Sequence, residues 1–293
     1  MLRLGRTQPD TSLALSVTDL SYRVGSRFAL ESINFSVSPG EGVAIIGTNG
    51  AGKTTLIRLA AGLSRPDHGQ VLLCGISPQN WGKASQHLGY VQQTKELPDG
   101  VTVATYLNHQ LRLRNADPAR YAELIAAASL GPYENQYVRT LSGGNQRKLH
   151  IVCAVAHRPN LLILDEPTVG LDPTAQEAVL ELLRALKTEG VGVLFASHHL
   201  HELVAVADSV VVLHEGRQVK DTSLADILSS GDHSSLSLRP FTAAAAARVA
   251  SWAQSLPSRH PAISGVTVLD DTVRLELTSG EHHDALYDVA SSF

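Results

Sequence analysis

Up to about residue 220, short apolar runs alternate with segments of helical period. Gly42-Val43-Ala44-Ile45-Ile46, Leu161-Leu162-Ile163-Leu164 and Val191 to Ala196 are β-branched or wholly apolar, and predict strands buried on both faces. Helical spacing follows the first of them, at Leu56, Ile57, Leu59, Ala60 and Leu63. Pro173 to Lys187 predicts an amphipathic helix closed by Glu189-Gly190. Leu13 to Val17 and Phe28 to Val37 alternate around a turn at Ser21 to Ser26, as two strands would. Pro66-Asp67-His68-Gly69 predicts a turn before a strand Gln70–Cys74. Gly89 to Gln93 predicts a short strand ending in amides. From Val101 to Tyr137 the period is helical (Tyr106, Leu107, Leu111, Leu113, then Tyr121, Leu124, Ile125, Ala128), with Pro118 near a start and Gly131-Pro132 at a stop. Leu149, Val152, Val155 and Ala156 carry one more helix. Val210 to Leu213 and Gln218-Val219, joined at Glu215-Gly216, predict a closing hairpin.

The pattern changes near Asp221. Ser229 to Ser235 reads as a polar linker, Ala243 to Leu256 as an alanine-rich helix, Val266–Leu269 and Thr272–Leu277 as a hairpin, and His282 to Ala290 as a last helix. Three parts are therefore expected: a loose tail 1–12, an α/β domain 13–221 with a helical insert at about 94–158, and a small α+β domain 222–293. The third carries no chemical motif.

Composition narrows the partners. Lys plus Arg is 24 against 28 Asp plus Glu, a net charge of −4 in 293 residues, which argues against a nucleic-acid partner. The two cysteines, Cys74 and Cys153, sit in apolar contexts and read as buried free thiols of a reducing compartment. The start, Met1-Leu2-Arg3-Leu4-Gly5-Arg6, lacks the apolar core of a signal peptide, and no apolar run is long enough to span a bilayer. A soluble intracellular chain is expected, with any membrane role lent by a partner.

The candidate chemistry sits where apolar strands end. Gly47-Thr48-Asn49-Gly50-Ala51-Gly52-Lys53-Thr54-Thr55 fits G-x-x-x-x-G-K-[ST], between a strand and a helix, the context this phosphate-binding loop requires. Unpaired N–H groups and aligned peptide dipoles at a helix start favour an anion, and glycines let the backbone approach it. Lys53 would reach the β- and γ-phosphates and the Thr54 hydroxyl would bind Mg²⁺. Leu141-Ser142-Gly143-Gly144-Asn145-Gln146 opens a second helix with serine and two glycines, another anion-binding end. Asp165 and Glu166 follow four apolar residues. Alternation along a strand would point them to opposite sides, one for Mg²⁺ and one for the attacking water. His198, His199 and His201 lack the H-E-x-x-H metal pattern; a strand-end histidine that bonds phosphate fits the rest of the site better. Tyr22, expected exposed on a loop, could stack on a base.

In this order the segments resemble the nucleotide-binding subunit of an ABC transporter, over about residues 13 to 220. Gly47–Thr54 is similar to the Walker A loop, Leu161–Glu166 to Walker B, Leu141–Asn145 to the family signature, Gln93 to the Q-loop glutamine, Gly170-Leu171-Asp172 to the D-loop, and His198 to the switch histidine. The resemblance implies a P-loop NTPase fold: a RecA-like core, an antiparallel β subdomain and a helical subdomain. It implies ATP and Mg²⁺ as cofactors, with Tyr22 stacking on adenine and Asn49, Gly50, Ala51, Gly52, Lys53, Thr54 and Thr55 around the phosphates. Thr54, Asp165 and Gln93 would serve the metal, Glu166 would polarise water, and His198 would touch the γ-phosphate. Ser142, Gly143, Gly144 and Asp172 would act across a head-to-tail dimer, a homodimer or a heterodimer with a second ATPase. Asn145 departs from the commoner glutamine of the signature. Separate transmembrane permease subunits are implied, holding the chain on the cytoplasmic face of the inner or plasma membrane without inserting it. The Gly-Leu-Asp loop, short pre-signature segment and small tail look most like stand-alone ATPases of type-2 exporters; an importer ATPase is the alternative. Non-transport relatives in DNA repair or on ribosomes carry a long coiled coil or two cassettes, and this chain has neither.

Overall fold

Buried apolar runs become the parallel heart of a nine-stranded sheet. The computed structural model describes residues 13–24, 28–93, 97–197, 199–224, 234–238, 263–269 and 272–277. Two compact units divide the chain, Met1–Asp221 and Thr222–Phe293. The first contains β1 (Leu15–Val24), β2 (Phe28–Val37), β3 (Gly42–Gly47), α1 (Lys53–Ala60), β4 (His68–Leu73), α2 (Trp81–Ala84), β5 (Leu88–Val91), α3 (Val103–Leu113) and α4 (Arg120–Ala127). It continues with α5 (Gly143–Ala154), β6 (Leu161–Asp165), α6 (Pro173–Thr188), β7 (Gly192–Ala196), α7 (Leu200–Val206) and β8 (Ser209–His214), and β9 (Arg217–Ser223) runs to its border.

The sheet order is β4-β1-β2-β9-β8-β3-β7-β6-β5. Strands β8, β3, β7, β6 and β5 pair in parallel, whereas β4, β1 and β2 pair antiparallel. Parallel strands need covering on both faces, and Leu161 to Leu164 and Val193 to Ala196 are fully buried, as their unbroken apolar sequence requires. Because these strands run the same way, their carboxyl ends line one edge, where ligands of open α/β sheets bind. The loops after β3, β5, β6 and β7 all open there.

Helices α3, α4 and α5 form the helical part. Tyr106, Leu107, Leu111, Leu124, Ile125 and Ala128 are buried, as the helical period implies. Arg120, itself buried, donates to the carbonyls of Val155 and Ala156 at 3.1 and 3.0 Å, satisfying the open end of α5.

Several local expectations are corrected. Leu63 is 44% exposed because Gly62, in the left-handed region at φ +72°, ends α1 and turns the chain outward; Leu113, at the end of α3, is exposed too. Strand β4 begins within the expected turn, since His68 pairs with Ser21 across β1, and Cys74 lies beyond it at φ +47°. Both cysteines are buried, as expected, and neither is in a disulfide. Tyr22 lies within β1, opposite Leu30, and is half-buried against the core rather than on a loop.

In the second unit β11 (Ile263–Leu269) and β12 (Thr272–Leu277) form the expected hairpin. A third strand, β10 (Ser234–Leu238), pairs antiparallel with β12 through Ser234↔Leu277 to Leu238↔Val273. The linker therefore ends before Ser234: the Ser-Leu alternation of 234–238 is a strand period, and three strands make a sheet that two rarely sustain. The tail 1–12, turn residues Gly25 and Ser26, and the helices expected at 243–256 and 282–290 lie outside the described residues, as does His198.

Candidate functional site

The phosphate-loop glycines are held by their surroundings. A Cβ on Gly47 would stand 2.4 Å from the Leu213 carbonyl oxygen, so only glycine lets β3 turn under β8 there. Gly52 caps α1 at φ +107° and no side chain caps that end, leaving its first amides for a ligand. Lys53 is buried; its Nζ donates to the Gly47 and Thr48 carbonyls at 2.8 and 3.2 Å, so the ammonium lies along the loop's inner rim. Ala51 is buried beneath, its amide bonded to the Thr48 carbonyl at 3.1 Å.

Opposite stands the end of β6. Asn49, Gly50, Gly52, Lys53, Thr54, Thr55 and Glu166 line one cavity of about 390 Å³. Asp165, 4% exposed, accepts a hydrogen bond from the Thr54 hydroxyl. Burial raises its pKa; the Thr54 bond opposes this, the Glu166 charge adds to the rise, and Arg147 and Lys53 oppose it. Glu166 is outside the strand, at φ +46° in the left-handed region. Its separation from Asp165 thus comes from a backbone turn, and the expected strand alternation does not produce it. Gln93, just past β5, donates Nε2 to Glu166 Oε2 at 2.5 Å.

Not every expected residue gathers here. Tyr22 lines a separate cavity of about 690 Å³ with Ser21, Arg23, Leu30, Glu31, Asp67 and His68. At the start of α5, Ser142 Oγ accepts from the Asn145 amide at 3.4 Å, and Gly143 lines a groove of about 910 Å³ with Gln93, Arg139, Gln146 and Gly170-Leu171. Gly144 packs against α6 so closely that a Cβ would meet that of Ala175 at 2.5 Å. Asp172 caps α6, accepting from the Ala175 amide at 3.0 Å. His201 pairs with Glu177 at 3.2 Å, and no metal-binding cluster of His, Cys, Asp and Glu occurs among the described residues.

Beside the site, Arg147, Thr168 and Glu202 are buried polar residues that the sequence reading missed. Arg147 is 7% exposed, and burial lowers its pKa to about 10, with Asp165 and Glu202 opposing. Its guanidinium donates to four main-chain carbonyls: Gln92 at 2.6 Å, Pro167 at 2.7 Å, and Asp165 and Glu166 at 3.0 Å each. Thr168 donates its hydroxyl to Glu202 of α7, and both are buried. A signal for Arg147 was available: Gly144, Arg147, Ile151 and Ala154 fall on one helical stripe, so the arginine stands where an apolar residue belongs.

An ABC transporter family model matches residues 30–169. An ABC transporter ATP-binding protein of Halobacterium salinarum is 37% identical over 208 residues, which cover 69% of this chain and 90% of that one. The chain belongs to the ABC transporter ATP-binding proteins. Among other relatives of this ABC ATPase, the Nod factor export ATP-binding protein I of Burkholderia orbicola is 36% identical (68% and 67% covered). The methionine import ATP-binding protein MetN of Corynebacterium diphtheriae is 34% identical (69% and 62% covered). A solved structure of an ATP-binding subunit of an ABC transporter matches with a TM-score of 0.66 at 33% identity, over 73% of this chain and 91% of that one. The P-loop NTPase fold expected for this ABC ATPase is the one it has. No described helix is long and apolar enough to cross a membrane.

Proposed function

We propose that this ABC ATPase hydrolyses ATP in a head-to-tail dimer and thereby drives export through separate transmembrane permease subunits. The observation that supports it best is the single cavity holding the phosphate loop, Lys53, Thr54 and Glu166 together. The Lys53 ammonium and the open amides of α1 would neutralise the β- and γ-phosphates. Thr54 and Asp165 supply a hydroxyl and a buried carboxylate, hard oxygen donors suited to Mg²⁺. Magnesium would contribute charge neutralisation between phosphate oxygens. Glu166 would accept a hydrogen bond from the attacking water and orient it, while Gln93, bonded to that carboxylate, would hold it and answer to the metal. His198 would contact the γ-phosphate, and Tyr22 would stack on adenine.

The Ser142-Gly143-Gly144 helix start, exposed at Ser142 and Gly143, would close with Asp172 on ATP bound to a second copy, placing two nucleotides in a two-fold interface. Losing the γ-phosphate removes the charge both copies share, so the dimer opens. This cycle would hold the chain to the cytoplasmic face of the membrane only through its permease. Export is favoured over import by the Nod factor export relatives, and for segment 222–293 we propose a dimer-contact or regulatory role. The test is Glu166→Gln in protein purified from membranes with its integral partner. ATP should still bind, turnover should fall by on the order of 100-fold or more, and the co-purified partner should be an exporter permease. Undiminished turnover would remove Glu166 from the mechanism, and an importer permease would reverse the direction.

A further inference from the structure

Glu166 occupies a backbone conformation that a glutamate seldom holds unaided, at φ +46°. Such a conformation persists only where neighbours over-determine it. Its own amide bonds to the Ala196 carbonyl of β7 at 3.1 Å. The two peptide groups flanking its Cα end in the Asp165 and Glu166 carbonyls, and both accept from the same nitrogen, Nη2 of Arg147, at 3.0 Å. Nε takes the next carbonyl, Pro167, at 2.7 Å. The remaining arm, Nη1, reaches Gln92 at 2.6 Å, one residue before the glutamine whose amide touches the Glu166 carboxylate. One planar guanidinium thus fixes three successive carbonyls of the Glu166 turn and the backbone carrying Gln93. A lysine has no such fork. Beyond the turn, Thr168 is bonded to buried Glu202 on α7, so the loop is tethered at both ends.

Arg147 belongs to α5, three residues past Gly144. We infer that Arg147 is a positioning residue: it holds the left-handed turn of Glu166 in register with the signature helix, so that the carboxylate faces the attacking water only while α5 is seated. This deepens the proposed function and rests on its assignment of Glu166.

Arg147→Lys keeps the charge and loses the fork. With the permease present, kcat should fall on the order of 10- to 100-fold while the KM for ATP stays within about threefold. In a cycle with Glu166→Gln, the lysine should add no further loss, because the arginine acts through that glutamate. A merely structural role would raise KM, and its effect would add to that of Glu166→Gln; either result overturns the proposal, as does an unchanged kcat. Should Arg147→Lys not stay folded, Thr168→Val loosens the same turn from its other end. It should lower kcat at constant KM, and an unaltered kcat would refute the proposal. If Glu166→Gln alone leaves turnover intact, the proposed function fails first; if it abolishes turnover and Arg147→Lys does not reduce it, only this inference fails.

Discussion

Two glycine-flanked helix starts, at α1 and α5, look alike in sequence and are furnished differently. The α1 start has no side-chain cap; Lys53 and Thr54 stand on it, and Asp165 and Glu166 face it from the end of β6. The α5 start caps itself through Ser142, and Gln146 turns its amide to the Arg139 and Leu141 carbonyls at 3.3 and 3.0 Å. Arg147, on α5 itself, points inward to main-chain carbonyls. One helix end gathers the phosphate loop and two carboxylates; the other lines an open groove with Gln93, Arg139 and Gln146. A composite site shared between two copies, as proposed, would divide the work in this way.

Lys53→Ala should break the first end outright. Removing a buried ammonium from a phosphate cradle weakens ATP binding by on the order of 100-fold, measurable by isothermal titration calorimetry of the monomer. The comparison loses its basis if Lys53→Ala binds ATP as the wild type does.

The seat of α5 is tested from its far end. Just past it, His157 accepts at Nδ1 from Arg114 at 3.2 Å and donates Nε2 to the Leu88 carbonyl at 3.1 Å. Burial, followed by the Arg114 charge, depresses its pKa to about 4 from an ordinary 6.5. The unfolded chain therefore binds the extra proton first. Stability from this group is complete above about pH 6.5 and is lost as pH falls towards 4, by up to about 3 kcal/mol. Urea unfolding at pH 7 and 4.5 should show this slope, and His157→Gln should flatten it. An equal slope in both proteins would contradict the assignment.

Gly144→Val should cost about 1–3 kcal/mol by overpacking α5 against Ala175, read as a lower thermal midpoint. Smallest is Ser142→Ala, which removes a cap worth about 1 kcal/mol. It should leave monomeric ATP affinity unchanged and lower only dimer-dependent turnover. A monomer that binds ATP less well after Ser142→Ala would mean that the two ends are not divided between copies.

Legibility in sequence followed the locality of the physics. Contiguous apolar runs, and glycines at a helix start, act within a few residues, so the parallel strands and the phosphate loop were readable at once. The Glu166 turn was not, because its left-handed backbone is stabilised by an arginine nineteen positions away in sequence. Arg147, Thr168 and Glu202 carry no motif; burial distinguishes them, and only Arg147, on the buried stripe of α5, left a sign in the sequence. Ser234–Leu238 was hidden for a related reason: a polar five-residue strand becomes one only when β12 pairs with it.

The most direct measurement is the solution mass of Glu166→Gln by analytical ultracentrifugation, with excess ATP and magnesium and then with ADP. Two copies clasping nucleotide should give a dimer in ATP that returns to monomer in ADP. A variant that binds ATP yet stays monomeric, alone and on its membrane partner, would contradict the shared site.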